Sequence, residues 1–430
     1  MKKSQLNLLL VISLLSFRAV GAQKLWTLDD CINYAVEHSI EVQQRINQQH
    51  RADNTLQDSK NAWKPTVDAQ ASQDITLNRV QSGYDFLTYD RTNSTVELNA
   101  SMPLYTFGRM KNQEKSDAFS LKAITEDLRN SKKQVEINVV TSYLQVLYNR
   151  TEVSVVKEKL EASTSALKRA RVLYEEGKSP KSDVMQAEST VSTDEYNLLK
   201  AEKEVKLSLI KLAQLLNLYE VEDFDVTDLD ESDVKLPIID WTGIVESYPS
   251  VVAAKYRIES ADSKIKLAKN DYLPTLTLTG TAGNQFSQLF NHPTPDLWAQ
   301  LKSRYDFVVS LNLKYTLFNG GATKRKVNSA MIDMTDARIE LENSKQQIHH
   351  DIQNAYYTAL IAKDKQKSAE KAERLAKESL GYVEESYQAG RATIFDLIQS
   401  QQKWLENREE AVRSKFEYLL RNKILEIYQQ

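Results

Sequence analysis

The sequence predicts a mainly α chain with a smaller β part, built as two tandem copies of one unit. Each unit is a β-hairpin followed by long coiled-coil helices. Three observations predict it. Residues 213 positions apart match in constant register, from Gly108/Gly321 through Asn130/Asn343, Tyr143/Tyr356, Tyr174/Tyr387, Gly177/Gly390 and Asp183/Asp396 to Gln186/Gln399. The apolar period switches within each copy between two and a 3–4 alternation. Finally, only 11 Gly and 8 Pro in 430 residues leave few places for turns.

Composition narrows the function classes. With 56 Lys+Arg against 59 Asp+Glu the net charge is −3, so no basic surplus points to nucleic acid. Charged residues are 27 % of the chain and mean hydropathy is −0.50, which argues against a bundle of membrane helices. A single cysteine excludes a disulfide framework and any Cys-rich zinc site.

Residues 1–22 read as a secretory signal peptide rather than a buried helix. Lys2 and Lys3 form its basic end, Leu6 to Phe17 its short apolar run and Val20-Gly21-Ala22 its cleavage site. Losing Lys2, Lys3 and Arg18 takes the net charge from −3 to −6. Cys31 follows acidic Asp29 and Asp30 and reads as a buried free thiol, not a lipid attachment point. Beyond residue 22 no apolar stretch approaches the ~20 residues of a spanning helix.

Repeat 1 is expected over 23–219 and repeat 2 over 241–430. Between them, residues 220–240 hold nine acids and one lysine and read as an acidic linker, a solvated loop with no role of its own. In repeat 1 a helix from Leu28 to Asn61 leads to a hairpin over about 65–105. There Val67, Ala69, Ala71, Ile75 and Leu77 alternate with Asp68, Gln70, Ser72, Asp74 and Thr76; Val96, Leu98, Ala100, Met102 and Leu104 alternate with Thr95, Glu97, Asn99 and Ser101. Repeat 2 carries the same pattern over about 274–318, with Leu276 and Leu278 among threonines and Phe307, Val309, Leu311 and Leu313 opposite Ser310, Asn312 and Lys314. The stretches Arg79 to Thr92 and Asn284 to Tyr305 are expected as polar and aromatic loops. Such strands suit a soluble sheet over a core and equally a membrane β-barrel.

The hairpins precede heptad stripes, for example Val135, Val139, Val146, Val153, Val156, Leu160 and Leu167, which make helices supercoil on their neighbours. Taken alone, this is packing. A helix from Gly108 to Glu176 is roughly 100 Å long at ~1.5 Å per residue, and those of about 50 and 57 Å over Leu28–Asn61 and Ser182–Tyr219 stack to the same length. Repeat 2 matches it. Four strands cannot close a barrel, and eight are filled by their own side chains. Three copies are therefore the smallest assembly with a lumen.

Tight helix–helix turns are expected at 177–183 and 390–396. Gly177 and Gly390 suit the left-handed residue that ends a helix, while Ser179-Pro180 and Thr393 with Asp396 are start signals. Asp183 and Asp396 read first as acids facing a helix dipole. In a closed trimer, three copies of Asp396 would instead form an acidic ring able to bind cations or set a gate.

The leader, the tandem repeat, the paired hairpins and the twice-occurring Tyr-x-x-Gly-x5-Asp-[Val/Leu] together resemble the TolC-like outer-membrane efflux family. So do Thr27 to Ala35, Leu104 to Arg109 and Leu317 to Gly321. The resemblance implies a homotrimer in outer-membrane lipid, a 12-stranded β-barrel continued by an α-helical periplasmic tunnel. Its partners would be a periplasmic adaptor and an inner-membrane pump; the function implied is the exit duct of efflux or type I secretion. Gate positions carry over at Tyr387 and Asp396. Gln399 stands where relatives with a double acidic ring have a second aspartate. Ala392 stands where some have a basic latch, with Arg391 one residue earlier. Gly177 and Gly390 mark the turns implied to contact the adaptor, with Asp183 at the first of them.

Other classes fit less well. His349 and His350 point to different sides of a helix, and Gly280 and Gly283 precede no Gly-Lys-[Ser/Thr], so no catalytic residue, metal ligand or cofactor site is expected. The rival is a secreted or cell-surface coiled-coil structural protein, which has no need of four alternating strands.

Overall fold

The computed structural model describes residues 25–429 apart from 78, 83, 89, 220–223, 230–239 and 291–292. The expected leader and most of the expected linker lie outside the described residues. The chain forms two compact units, each drawing on both repeats: Met1–Ile46 with Leu128–Tyr248 and Lys345–Gln430, and Asn47–Asp127 with Pro249–Ser344.

The first unit is helical. Strand β1 (Leu25–Trp26) leads into α1 (Leu28–His38). A capping box starts that helix: the Asp30 N–H donates to Thr27 Oγ1 at 3.1 Å, and the Thr27 N–H donates to Asp30 Oδ2 at 3.2 Å. Its core gathers Cys31 and Ala35 from α1, Val139, Tyr143 and Val146 from α3 (Arg109–Glu175), and Leu212 from α4 (Lys181–Leu215). Leu419 and Ile427 of α9 (Ile394–Gln429) join them. Burial pushes the Cys31 thiol up to about 12, with Asp30 adding to the shift. Part of the expected linker proves structural. Asp225–Val226 forms β6, parallel to β1, and Phe224 and Val226 enter the core. The Tyr143 hydroxyl donates to the Thr227 carbonyl at 2.7 Å, and Arg150 pairs with Asp225. The acids kept this segment looking solvated, whereas the two apolar residues among them decide where it goes.

The second unit holds the sheet and the helix segments that run into it. Strands β2 (Thr66–Thr76), β5 (Arg91–Tyr105), β7 (Thr275–Leu289) and β8 (Tyr305–Lys314) form one antiparallel sheet in the order β2-β5-β7-β8. The register sets Val67, Ala100, Gly280 and Val309 side by side, then Ala69, Leu98, Ala282 and Phe307, so one face is apolar. The other face carries Asp68, Asn99 and Thr281 in a row, with Thr281 Oγ1 donating to Asn99 Oδ1 at 2.9 Å. Two expected loops need correction. The stretch 79–92 contains a small hairpin, β3 (Arg79–Ser82) with β4 (Asp85–Thr88), and the start of β5. The stretch 284–305 contains the end of β7, paired out to Arg91↔Leu289, and a short helix, α7 (Leu297–Ser303). Backbone pairing extended these strands through Gln285, Ser287 and Gln288, where side-chain alternation no longer signals a strand.

Helices leave the sheet through matched turns. Gly108 (φ +86°) precedes α3, and Gly320 and Gly321 (φ +61° and +78°) precede α8 (Ala322–Gln388). Both long helices have 67 residues. The expected single front helix of each repeat is broken. The breaks fall at Ser39, between α1 and α2 (Ile40–Asn61), and at Tyr248, between α5 (Trp241–Ser247) and α6 (Pro249–Asn270). Both residues turn extended, at ψ 130° and 135°. Pro249 explains the second break, since the residue before a proline is driven out of the helical region. Among the described residues no helix is long and apolar enough to cross a membrane.

Candidate functional site

The two helix–helix turns are built alike. In the first, the Gly177 N–H reaches the Tyr174 carbonyl at 2.9 Å and the Lys178 N–H reaches Leu173 at 2.8 Å. In the second, Gly390 reaches Tyr387 at 3.0 Å and Arg391 reaches Ser386 at 2.8 Å. This is the Schellman arrangement, which needs a left-handed residue after the helix. Gly177 and Gly390 supply it at φ +72° and +70°. The tyrosine of the repeated motif thus sits where its carbonyl closes the turn.

The helices that follow start differently. At α9 the Thr393 backbone N–H and hydroxyl both donate to Asp396 Oδ2, at 2.8 and 2.6 Å, and the Asp396 N–H returns a bond to Thr393 Oγ1 at 3.2 Å. The Thr393 hydroxyl, then its backbone, hold the exposed Asp396 carboxyl below the usual range. At α4, Pro180 occupies the cap without a side-chain bond. Asp183 instead accepts from Ser179 Oγ at 2.8 Å and Ser182 Oγ at 3.3 Å.

Residues from both turns line one open cleft of about 670 Å³, among them Arg169, Val172, Asp183, Tyr387 and Thr393. The Tyr387 hydroxyl is buried with no hydrogen-bond partner. Burial raises its pKa, Arg169 lowers it and Asp183 raises it. Asp396 and Gln399 line a separate groove with Ser379, Lys403 and Glu406. Within one chain, therefore, the predicted residues fall into two groups: Tyr387 with Asp183, and Asp396 with Gln399. The Arg391 side chain is exposed and lines neither groove. Sequence reasoning missed Arg169: its repeat counterpart is Tyr382, so the internal match gave it no mark.

Comparisons with known proteins agree in direction. A family model described as outer membrane efflux protein matches residues 31–218 and 244–425. The outer membrane efflux protein BepC of Brucella suis is 22 % identical over 344 residues, 80 % of this chain and 72 % of that protein. The toxin and drug export protein A of Aggregatibacter actinomycetemcomitans is 24 % identical over 305 residues, 69 % of this chain and 65 % of its own length. In fold, the Campylobacter jejuni CmeC outer membrane channel superposes with a TM-score of 0.79 at 17 % identity, covering 93 % of this chain and 85 % of that one.

Proposed function

Because the chain belongs to the outer membrane efflux protein family, a family of outer-membrane transport components, we propose that it works as a homotrimeric exit duct. Substrates handed over by an inner-membrane pump and a periplasmic adaptor would pass through it to the outside. Family membership sets aside the reading as a secreted structural coiled coil. One observation carries the trimer: among the described residues the sheet is left open at both edges, β2 and β8, and most of its apolar face is uncovered, with Val67, Val309 and Leu313 68 %, 60 % and 68 % exposed. A free strand edge seeks a partner, and an apolar face seeks lipid. Three four-stranded sheets joined edge to edge make a twelve-stranded barrel with a lumen. The apolar alternation then faces the bilayer, the row of Asp68, Asn99 and Thr281 faces the lumen, and the helices continue as a tunnel.

The turns are the proposed adaptor contacts and gate. Around a three-fold axis, three copies of Asp396 form an acidic ring, beside the cleft that Tyr387, Asp183 and Arg169 line. Gln399 leaves the ring single. Size measurement in detergent should give a trimer, and bilayer recordings should show divalent-cation block that weakens in Asp396→Asn. A monodisperse monomer that needs no detergent would defeat the duct; unchanged block would remove Asp396 from the gate.

A further inference from the structure

We infer that α7 (Leu297–Ser303) is an interfacial anchor that lies in the outer leaflet and binds phosphorylated, anionic lipid headgroups. The inference rests on the barrel reading above. The helix is short, yet it is fixed firmly. Asp296 caps it, accepting from the Ala299 N–H at 2.9 Å. Gln300, 1 % exposed, takes over where strand pairing stops. The last β7–β8 pair is Asn284↔Tyr305. Beyond it, the Ser287 N–H donates to Gln300 Oε1 at 2.9 Å, and Gln300 Nε2 donates to the Ser287 and Pro295 carbonyls at 2.9 and 2.7 Å. One side-chain amide thus replaces a missing strand.

The side of the sheet on which α7 lies follows from register. Asn284 pairs with Val96 and Tyr305, and Val96 pairs with Ala71, so Asn284 belongs to the apolar face. Its Nδ2 donates to the Leu301 carbonyl at 2.9 Å. The helix therefore rests on the apolar, lipid-directed face, at the end of the sheet opposite the long helices. It leaves its own apolar residues partly outward, Trp298 most of all. Leu297, Trp298 and Leu301 are 46 %, 71 % and 38 % exposed, and at ~100° per residue they share an arc of roughly 100°. Exposed Lys302 and Arg304 follow at once. An outward Trp beside leucines, on a face continuous with the lipid-directed sheet and flanked by two cations, has the make-up of a helix lying in a headgroup region. Anionic lipid complements the charge.

The test uses the full-length protein. Cys31 is fully buried and its thiol is pushed up to about 12, so it stays silent to labelling. Bimane is attached in a Leu297→Cys variant and, as a control on mid-sheet, in a Val309→Cys variant. Each is reconstituted in phosphatidylcholine vesicles containing phosphatidylglycerol, with bromine placed high or deep on the acyl chains. The expected result is deep quenching at 309 and shallow quenching at 297. Quenching at 297 should be stronger when phosphatidylglycerol carries the bromine, and this preference should fall about fivefold for each of Lys302→Gln and Arg304→Gln. Lipid quenching at 309 but only aqueous iodide quenching at 297 overturns the anchor while leaving the barrel. Protection at 297 from both lipid and iodide also overturns it, in favour of a contact with a neighbouring copy. No lipid quenching at 309 overturns the barrel reading and the anchor with it.

Discussion

The helical unit and the sheet unit treat their apolar side chains in opposite ways. Around Tyr143, Val139 and Leu212, each 0 % exposed, the chain covers its own heptad stripes with helices from both repeats. In the sheet, Phe307, Val309, Leu311 and Leu313 are 60–76 % exposed although their alternation is just as regular. Around that cluster the helical unit satisfies its pattern internally, although Leu207 and Ile361 farther along its helices stay 57 % and 66 % exposed. The sheet satisfies only its backbone, strand to strand, and must find the medium for its faces elsewhere. A regular apolar pattern therefore states that something will cover it, not that the same chain will.

The largest effect should come from placing a charge on the face of the sheet that we propose meets lipid. Val309→Arg sits near the middle of β8, and a cation at the bilayer midplane costs about 2–4 kcal/mol in each protomer. The variant should lose nearly all membrane-extractable trimer while the helical signal of the remaining material persists. Normal trimer yield would mean that this face does not meet lipid, and the contrast between the units would fail. Next comes Leu212→Ala, which opens a cavity in a filled core and should cost about 2–5 kcal/mol. It should lower the helical melting temperature and leave membrane insertion in place. An unchanged melting temperature would show that self-burial is not what holds this unit.

Much of this contrast was legible in the residues, and the failures have physical causes. The hairpins, the long helices and both turns follow from period, glycine placement and the repeat. The break at Tyr248 could be read from Pro249, and the repeat could have carried it back 209 positions to Ser39, which has no breaking residue of its own. The role of Phe224 and Val226 was hidden by surrounding acids. Of the site, the capping pair Thr393 and Asp396 was readable because it is local. The cleft of Tyr387, Asp183 and Arg169 was not, since it joins helix ends that the sequence separates by some 200 positions. That Asp396 and Tyr387 line different grooves also needed the packed helices.

The turns sharpen the comparison, because they belong to the self-burying unit yet have little burial of their own. Their order rests on hydrogen bonds, so breaking those should cost least and stay local. Thr393→Ala removes both the hydroxyl that Asp396 accepts and the oxygen that caps its N–H. Loss of such a cap costs about 0.5–2 kcal/mol, to be seen as faster amide exchange in the first turn of α9. A pH dependence should go with it. The folded Asp396 carboxyl titrates below its usual range, first because of the Thr393 hydroxyl. Its stabilisation is therefore complete above the ordinary carboxylate range of about 4 and is lost as pH falls through the lower folded value. In wild type the first turn of α9 should loosen on acidification through that window, and in Thr393→Ala the step should shrink. Equal exchange in wild type and variant at neutral pH would mean that packing of Leu397, 0 % exposed one residue on, orders the turn without the cap, and that self-burial extends to the tips.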